Sequence, residues 1–119
     1  MKNSRIVGNG AVGVTNKGAI YCLSTATASG TCKLLDGTVV EDNVALPKPA
    51  EIYVEGNVDL QLYNVKMTNN STAKIYTHKI SDTKQPSIKL KHIQFDTTTA
   101  NFAGETDAGT NCTGTNGYC

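Results

Sequence analysis

The sequence predicts an all-β domain: a mostly antiparallel sandwich or curved sheet of six to eight short strands, with at most one short helix. Apolar residues alternate with a period of two through most of the chain, which is typical of half-buried strands. No window places apolar residues at the i, i+3, i+4, i+7 spacing of an amphipathic helix. The composition agrees, because 16 Thr, 11 Asn, 6 Ser and 11 Gly stand among 119 residues, and these residue types favour strands and turns.

The first predicted strands lie before residue 50. Apolar side chains alternate at Val12 and Val14 and again at Ile20 and Cys22. Asp36-Gly37 stands between two alternating runs and predicts a hairpin, because a type I′ turn needs positive φ at both central residues. The Pro47-Lys48-Pro49 stretch then sets a rigid, extended break in the chain.

The second half of the chain repeats this pattern of strands and turns. An alternating run from Ile52 ends at Gly56-Asn57, a second predicted tight turn. The apolar phase of residues 58–67 slips by one between Leu62 and Tyr63, which indicates a β-bulge or a strand buried on both faces. Residues 73–80 are predicted to return as the partner strand. Another strand begins at Pro86 and shows a similar slip before Phe95.

The chain length allows one domain with three segments. About 100–150 residues is the commonest domain size. Residues 1–18 are predicted to be a flexible, Gly-rich N-terminal segment, residues 19–102 the β domain, and residues 103–119 a disulfide-closed C-terminal loop of the same domain. The only helical candidate lies at residues 97–103, and no internal repeat is evident.

Four cysteines indicate the compartment. Cys22 and Cys32 bracket a loop of small residues, and Cys112 and Cys119 bracket another at the C-terminus. Two local disulfides, Cys22–Cys32 and Cys112–Cys119, are the simplest of the three connectivities, with a metal site or free thiols as the less favoured alternatives. Oxidised cysteines predict an extracellular or cell-surface location, or a periplasmic one before assembly.

The sequence does not predict catalysis. A G-x-G-x-x-G match at residues 8–13 is followed by strand-like alternation instead of the helix that dinucleotide binding needs. His78 and His92 lie in strand-like stretches, and paired cysteines leave no nucleophilic thiol. We therefore expect no enzyme activity, no cofactor and no metal site. The apolar runs are too short for a membrane-spanning helix, and a net charge of +1 gives no overall attraction to nucleic acid or membranes.

One stretch of the chain carries an excess of basic residues. Residues 74–92 contain five lysines against Asp82 alone. The candidate strip for an anion or partner consists of five residues: Lys74, Lys79, Lys89, Lys91 and His92. One interpretation is a binding site for DNA, an anionic polysaccharide or lipid headgroups. The favoured interpretation is edge-strand protection, because outward lysines oppose strand-to-strand aggregation.

The layout resembles the globular heads of type IV pilins, pseudopilins and minor pilins. The resemblance is carried by Cys22 and Cys32, by the antiparallel runs predicted between Ile52 and Phe95, and by the pair Cys112 and Cys119 at the end of the chain. It implies a non-enzymatic structural or interaction domain, a subunit of a cell-surface filament or adhesive assembly. Its partners would be other protein subunits, through self-assembly or in a filament.

Two alternatives belong to other functional classes. The first is a carbohydrate- or nucleic-acid-binding module in which tyrosines stack on sugars or bases. The candidate tyrosines are Tyr21, Tyr53, Tyr63, Tyr76 and Tyr118. The second is a viral or phage capsid or spike component, which the same composition suits.

Overall fold

The computed structural model describes residues 1–9, 18–43, 51–68, 74–95 and 102–104. This part of the chain contains β-strands and connecting turns and no helix, so the strand-rich character predicted from the sequence is confirmed. The strands are β1 (Arg5–Val7), β2 (Ile20–Ser24), β3 (Gly30–Leu34), β4 (Thr38–Glu41), β5 (Ile52–Gly56), β6 (Val58–Tyr63), β7 (Val65–Thr68), β8 (Ile75–His78), β9 (Ser87–Lys91), β10 (Gln94–Phe95) and β11 (Phe102–Gly104).

The strands wind into a parallel β-solenoid with three sheets. Sheet 1 has the order β1-β4-β7-β10, sheet 2 the order β11-β8-β5-β2 and sheet 3 the order β3-β6-β9. Successive strands therefore enter sheets 1, 2 and 3 in turn, and each pair of neighbouring strands within a sheet is parallel. The predicted antiparallel arrangement is wrong, because alternation with a period of two is common to parallel and antiparallel strands.

The coils repeat in register, so the absence of an internal repeat was also a wrong prediction. Tyr21, Tyr53 and Tyr76 are direct neighbours across sheet 2. Each occupies the same place in a short recurring sequence, Ile20-Tyr-Cys-Leu23, Ile52-Tyr-Val-Glu55 and Ile75-Tyr-Thr-His78. The repeat is short and its spacing varies with the lengths of the connections, which hides it from a search for one fixed period.

Sheet 3 is joined to sheet 1 by a corner that depends on left-handed backbone. Asn3, Gly37, Asn64 and His92 have φ angles of 48°, 77°, 54° and 54° at equivalent points of four coils. Adjacent corners are linked by backbone hydrogen bonds, with 2.9 Å from the Gly37 N–H to the Asn64 carbonyl and 2.9 Å from the Asn64 N–H to the Lys91 carbonyl. Gly and Asn suit these positions because they tolerate the left-handed region better than other residues.

These corners explain two expectations that the structure overturns. Asp36-Gly37 connects β3 to β4 in a different sheet and forms no hairpin. The slips in apolar phase near Leu62 and near Ile93 fall where the chain turns from sheet 3 into sheet 1. A one-residue turn changes which face is buried, so the slip marks a corner of the solenoid.

A second kind of corner joins sheets 2 and 3 at Gly56-Asn57. Gly56 has a φ of 76°, and a Cβ at this position would lie 2.1 Å from the carbonyl oxygen of Ser24, so only glycine fits. The Asn57 side chain donates to the Thr27 carbonyl at 2.6 Å. The turn predicted here exists, but β5 and β6 do not pair. Likewise β8, predicted to pair with the strand before it, pairs with β5 and β11.

The core is the inside of the coil, where inward side chains stack in columns. Leu34, Leu62 and Leu90 form one column along sheet 3, and Ile52 and Ile75 lie in another along sheet 2. The buried apolar cluster consists of Leu34, Val40, Ile52, Val54, Val58, Leu60, Leu62, Val65, Met67, Ile75, Ile88, Leu90, Ile93 and Phe95. Each coil therefore buries its apolar residues against the next coil, as in other solenoids.

Two strands lie at or outside the ends of the predicted β domain of residues 19–102. Strand β1 lies within residues 1–18, the segment predicted to be flexible, and pairs with β4 of sheet 1. Strand β11 spans the predicted boundary between residues 102 and 103 and overlaps the end of the helical candidate. The rest of that candidate, residues 97–101, and the predicted Cys112–Cys119 pair lie outside the described residues.

Candidate functional site

The outer side of sheet 2 carries a ladder of three tyrosines. Tyr21, Tyr53 and Tyr76 occupy the same outward row of β2, β5 and β8. The ring centroids of Tyr21 and Tyr53 are 5.6 Å apart in an edge-to-face arrangement. Those of Tyr53 and Tyr76 are 5.0 Å apart with planes tilted by 30°. Parallel register places like residues side by side on adjacent strands, and aromatic pairs at these separations stabilise each other.

A second outward row on the same sheet contains Leu23, Glu55 and His78. The hydroxyl of Tyr21 donates a hydrogen bond to the carboxylate of Glu55, which links the two rows. Ile80 follows β8 and lies beside Gly56 at the adjoining corner. We call the outward side chains of these two rows, together with Ile80, the tyrosine face.

Exposure differs sharply across the tyrosine face. Tyr53 is only 7% exposed, whereas Tyr21, Leu23 and Ile80 are 44%, 50% and 45% exposed. Tyr53 therefore acts as a buried support between its two neighbours, while the more exposed residues form the accessible surface. An exposed apolar group beside a carboxylate and an imidazole on a rigid sheet is suited to contact with a partner.

The sequence reasoning named the tyrosines but missed Leu23, Glu55 and His78 as their neighbours. The recurring Ile-Tyr pair in β2, β5 and β8 would have aligned the three strands. Once aligned, residues two positions after each tyrosine fall in one row, since side chains alternate across a strand.

The predicted lysine strip does not form one continuous surface. Lys89 and Lys91 are exposed on the outer side of β9, and His92 is exposed at the following corner. Lys74 is completely buried where the chain enters β8. Lys79 lies in the connection from β8 to β9, with its Nζ 3.2 Å from Asp82. The structure brings together Lys89, Lys91 and His92 and separates them from Lys74 and Lys79.

The favoured interpretation of the lysines concerned strand edges. Within the described residues, β9 is the last strand of sheet 3, and both of its lysines point outward. Lysines at that position oppose pairing with another chain. Edge protection by Lys89 and Lys91 stays a prediction, to be tested by aggregation of variants.

The outer side of sheet 3 is polar and is organised around Asp59. Its carboxylate accepts hydrogen bonds from Gln61 at 2.5 Å, Ser87 at 2.8 Å and Lys89 at 3.2 Å. Burial raises the pKa of Asp59, but these three donors outweigh burial and hold the pKa below its ordinary value. Lys89 is therefore already engaged by a carboxylate of its own sheet.

Buried polar residues close the corner between sheets 1 and 2. The Asn43 backbone N–H donates to Glu51 at 3.2 Å, and its side chain donates to the Ile6 carbonyl at 3.1 Å. The backbone N–H of Asn9, which follows β1 in the preceding coil, donates to the side-chain oxygen of Asn43 at 2.9 Å. The Glu51 N–H in turn donates to the Lys74 carbonyl at 3.0 Å. Hydrogen bonds between buried polar groups of this kind hold successive coils together.

The Cys22–Cys32 disulfide is present as predicted. It joins β2 to β3 across the corner between sheets 2 and 3, with 6.5 Å between the Cα atoms. Both cysteines are partly buried and pack against the apolar core. In the part of the chain that the structure describes, no three His, Cys, Asp or Glu residues come together as a metal site would require.

Two further findings concern membrane-spanning helices and similarity to known proteins. None of the described residues belongs to a helix of the length and apolarity needed to cross a membrane.

No protein-family model matches the sequence, and no curated protein or solved structure shows significant similarity to the chain.

Proposed function

We propose that the chain is a non-enzymatic extracellular interaction domain, a subunit of a cell-surface filament or adhesive assembly that contacts its neighbours through the tyrosine face. The observation that carries this proposal is the exposure of Tyr21 and Leu23 on sheet 2 and of Ile80 at the adjoining corner. Large exposed apolar side chains grouped on one surface favour association with another protein.

The construction of the face supports this role. Tyr53 is held between two aromatic neighbours, and Tyr21 is held by its hydrogen bond to Glu55. Side chains that are fixed before a partner arrives lose little conformational entropy on binding. Tyrosine is also enriched in the residues that dominate binding energy at interfaces.

The Cys22–Cys32 disulfide supports the extracellular part of the proposal, since such bonds persist mainly in oxidising compartments. The pilin-like form of the assembly rests on this pair and on the layout of the chain. It gains no support from strand direction, because the strands between Ile52 and Phe95 are parallel.

The proposal is tested by removing the exposed apolar groups and measuring self-association. We expect wild-type protein to form oligomers or filaments in sedimentation velocity and electron microscopy, and Tyr21→Ser/Leu23→Ser to remain monomeric. Val7→Ser is the matched control, since Val7 is 43% exposed on sheet 1. Wild-type protein that stays monomeric at all concentrations, or an equal loss of assembly in the control, would contradict the proposal.

A carbohydrate ligand is the second candidate, favoured by the carboxylate of Glu55 beside the exposed ring of Tyr21. Sugars stack on aromatic rings and hydrogen-bond to adjacent carboxylates. Small-molecule sites in general combine a mostly apolar lining with a few polar groups that fix the ligand's orientation. Titration with neutral oligosaccharides distinguishes the two candidates. Binding that weakens in Tyr21→Ser but survives in Tyr21→Phe would favour the sugar, because phenylalanine keeps the ring.

A further inference from the structure

Two grooves meet at the corner between sheets 3 and 1, on either side of a ridge made by Asn64 and His92. The first groove, of about 430 Å³, lies on the sheet 1 side and is also lined by Gly37, Lys66 and Gln94. The second, on the sheet 3 side, is also lined by Tyr63 and Lys91. Volumes of a few hundred Å³ accommodate one or two sugar rings. No residue of sheet 2 lines either groove, so this corner is separate from the tyrosine face.

The grooves owe their shape to the left-handed corner. Asn64 alone separates β6 from β7, and His92 with Ile93 separates β9 from β10. In both corners one residue has left-handed backbone, so the strands before and after it diverge at once. Lys91, the last residue of β9, and Lys66, the second residue of β7, then project from different sheets. Both side chains are exposed, with the ridge between them.

The positive charges at this corner have no ion-pair partner among the residues that the structure describes. Among the described residues, no ion pair includes Lys66 or Lys91, nor Lys33 on the outer side of β3. Two carboxylates on the neighbouring coils are already engaged. Asp36 accepts from Asn64 at 2.9 Å and lies 3.5 Å from Lys2, and Asp59 is bound by Lys89.

We propose that this corner binds a linear anionic polysaccharide, with Lys66 and Lys91 contacting successive sulfate or carboxylate groups across the ridge. Lysines that project from two sheets suit a chain with charges at intervals, and the side-chain amide of Gln94 and the ring of Tyr63 offer contacts to the sugar between them. The Cys22–Cys32 disulfide favours an oxidising, extracellular compartment, where such polymers occur.

Nucleic acid fits this corner less well. Binding to a phosphate backbone depends on several lysine or arginine contacts, and single-stranded chains also need a row of exposed aromatic rings. The described residues of the grooves supply two lysines, Lys66 and Lys91, and two rings, those of Tyr63 and His92. Nucleic acid therefore becomes an outcome of the test.

The experiment measures binding of a size-defined sulfated oligosaccharide, such as a heparin-derived hexasaccharide, to the full chain at several salt concentrations. A polyuronate oligomer of equal length distinguishes sulfate from carboxylate as the group recognised. We expect Lys66→Gln/Lys91→Gln to bind about tenfold or more weakly, as loss of charged hydrogen bonds predicts, and with a shallower dependence of log K on log salt.

The matched control is Lys79→Gln/Lys84→Gln, which removes the same charge from the connection between β8 and β9. It should bind as the wild type does. An equal loss of affinity in both double variants would show that binding depends only on net charge, which would overturn the proposed site. The absence of binding to both oligosaccharides would overturn it as well. Tighter binding of a single-stranded oligonucleotide than of both oligosaccharides would replace the proposed ligand with nucleic acid. Tyr21→Ser/Leu23→Ser, which tests the tyrosine face, should leave this binding unchanged.

Discussion

The outer faces of sheets 2 and 3 are built on the same interior yet carry opposite kinds of surface. Both sheets point columns of aliphatic side chains inward, such as Ile52 above Ile75 in sheet 2 and Leu62 above Leu90 in sheet 3. Outward, sheet 2 stacks tyrosines, whereas sheet 3 arranges polar side chains around Asp59. The difference teaches that stacking of the coils requires apolar side chains in the inward rows, whereas the outward rows can vary and are available for contacts with other molecules.

The largest expected effect tests whether the two sheets share one interior. Ile52→Ala in sheet 2 and Leu62→Ala in sheet 3 each truncate a side chain with no exposed surface. We expect each variant to lower the free energy of unfolding by about 2–5 kcal/mol, measured by urea denaturation. A large loss for one and almost none for the other would show that the two sheets do not contribute to a common core.

The next effect compares the outer faces of sheets 2 and 3 at an inner strand of each sheet, β5 and β6. Tyr53→Ala removes a nearly buried ring with two aromatic neighbours, and we expect it to cost about 2–4 kcal/mol. Gln61→Ala on the outer side of β6 is the matched change and should cost less than about 1 kcal/mol. Equal losses in thermal or chemical unfolding would remove the distinction between a packed and a solvated face.

The disulfide gives a smaller effect near the boundary between these two sheets. Cys22→Ser/Cys32→Ser should lower the free energy of unfolding by about 2–3 kcal/mol, because a closed loop of roughly ten residues restricts the unfolded chain. Calorimetry of the double variant measures this loss. A double variant as stable as the wild type would show that the first coil is held by its packing alone.

The smallest effect concerns the pH dependence of the polar face. The pKa of Asp59 is lower in the folded chain than its ordinary value of 3.8, so its ionised form favours folding. That contribution is complete above this value and is lost as the pH falls through the folded-state pKa. Asp59→Asn should therefore lose stability at pH 7 and show a flatter stability profile below about pH 4. An unchanged acid profile would contradict the role of Asp59.

The sequence predicted the strands well because alternation reports directly which side chains are buried. It also located Gly37, Gly56 and the Cys22–Cys32 pair, each of which marks a position of special backbone or bonding. The direction of the strands could not be read from alternation, which is the same for hairpins and coils. Two features of the sequence indicate the parallel direction of the strands. They are the recurrence of Ile-Tyr in β2, β5 and β8 and the slip in apolar phase near Leu62.

The candidate sites were predictable only in part. Tyr21, Tyr53 and Tyr76 were named, but their alignment depends on connections of different lengths. Lys74 was included in the strip because it lies in the basic stretch of residues 74–92, and its burial follows from the corner beside Glu51. Lys66 lies outside the basic stretch of the sequence and joins Lys91 only through the fold.

The central claim is that parallel coils stack in register and so create the tyrosine face, and nuclear Overhauser contacts test it most directly. In protein with selectively labelled tyrosine, we expect the ring protons of Tyr53 to show contacts to those of both Tyr21 and Tyr76. Val39 should contact Lys66 through the backbone, in the register of sheet 1. Cross-strand contacts between the strands on either side of Asp36-Gly37, with no contacts among the tyrosines, would show an antiparallel hairpin and contradict the solenoid.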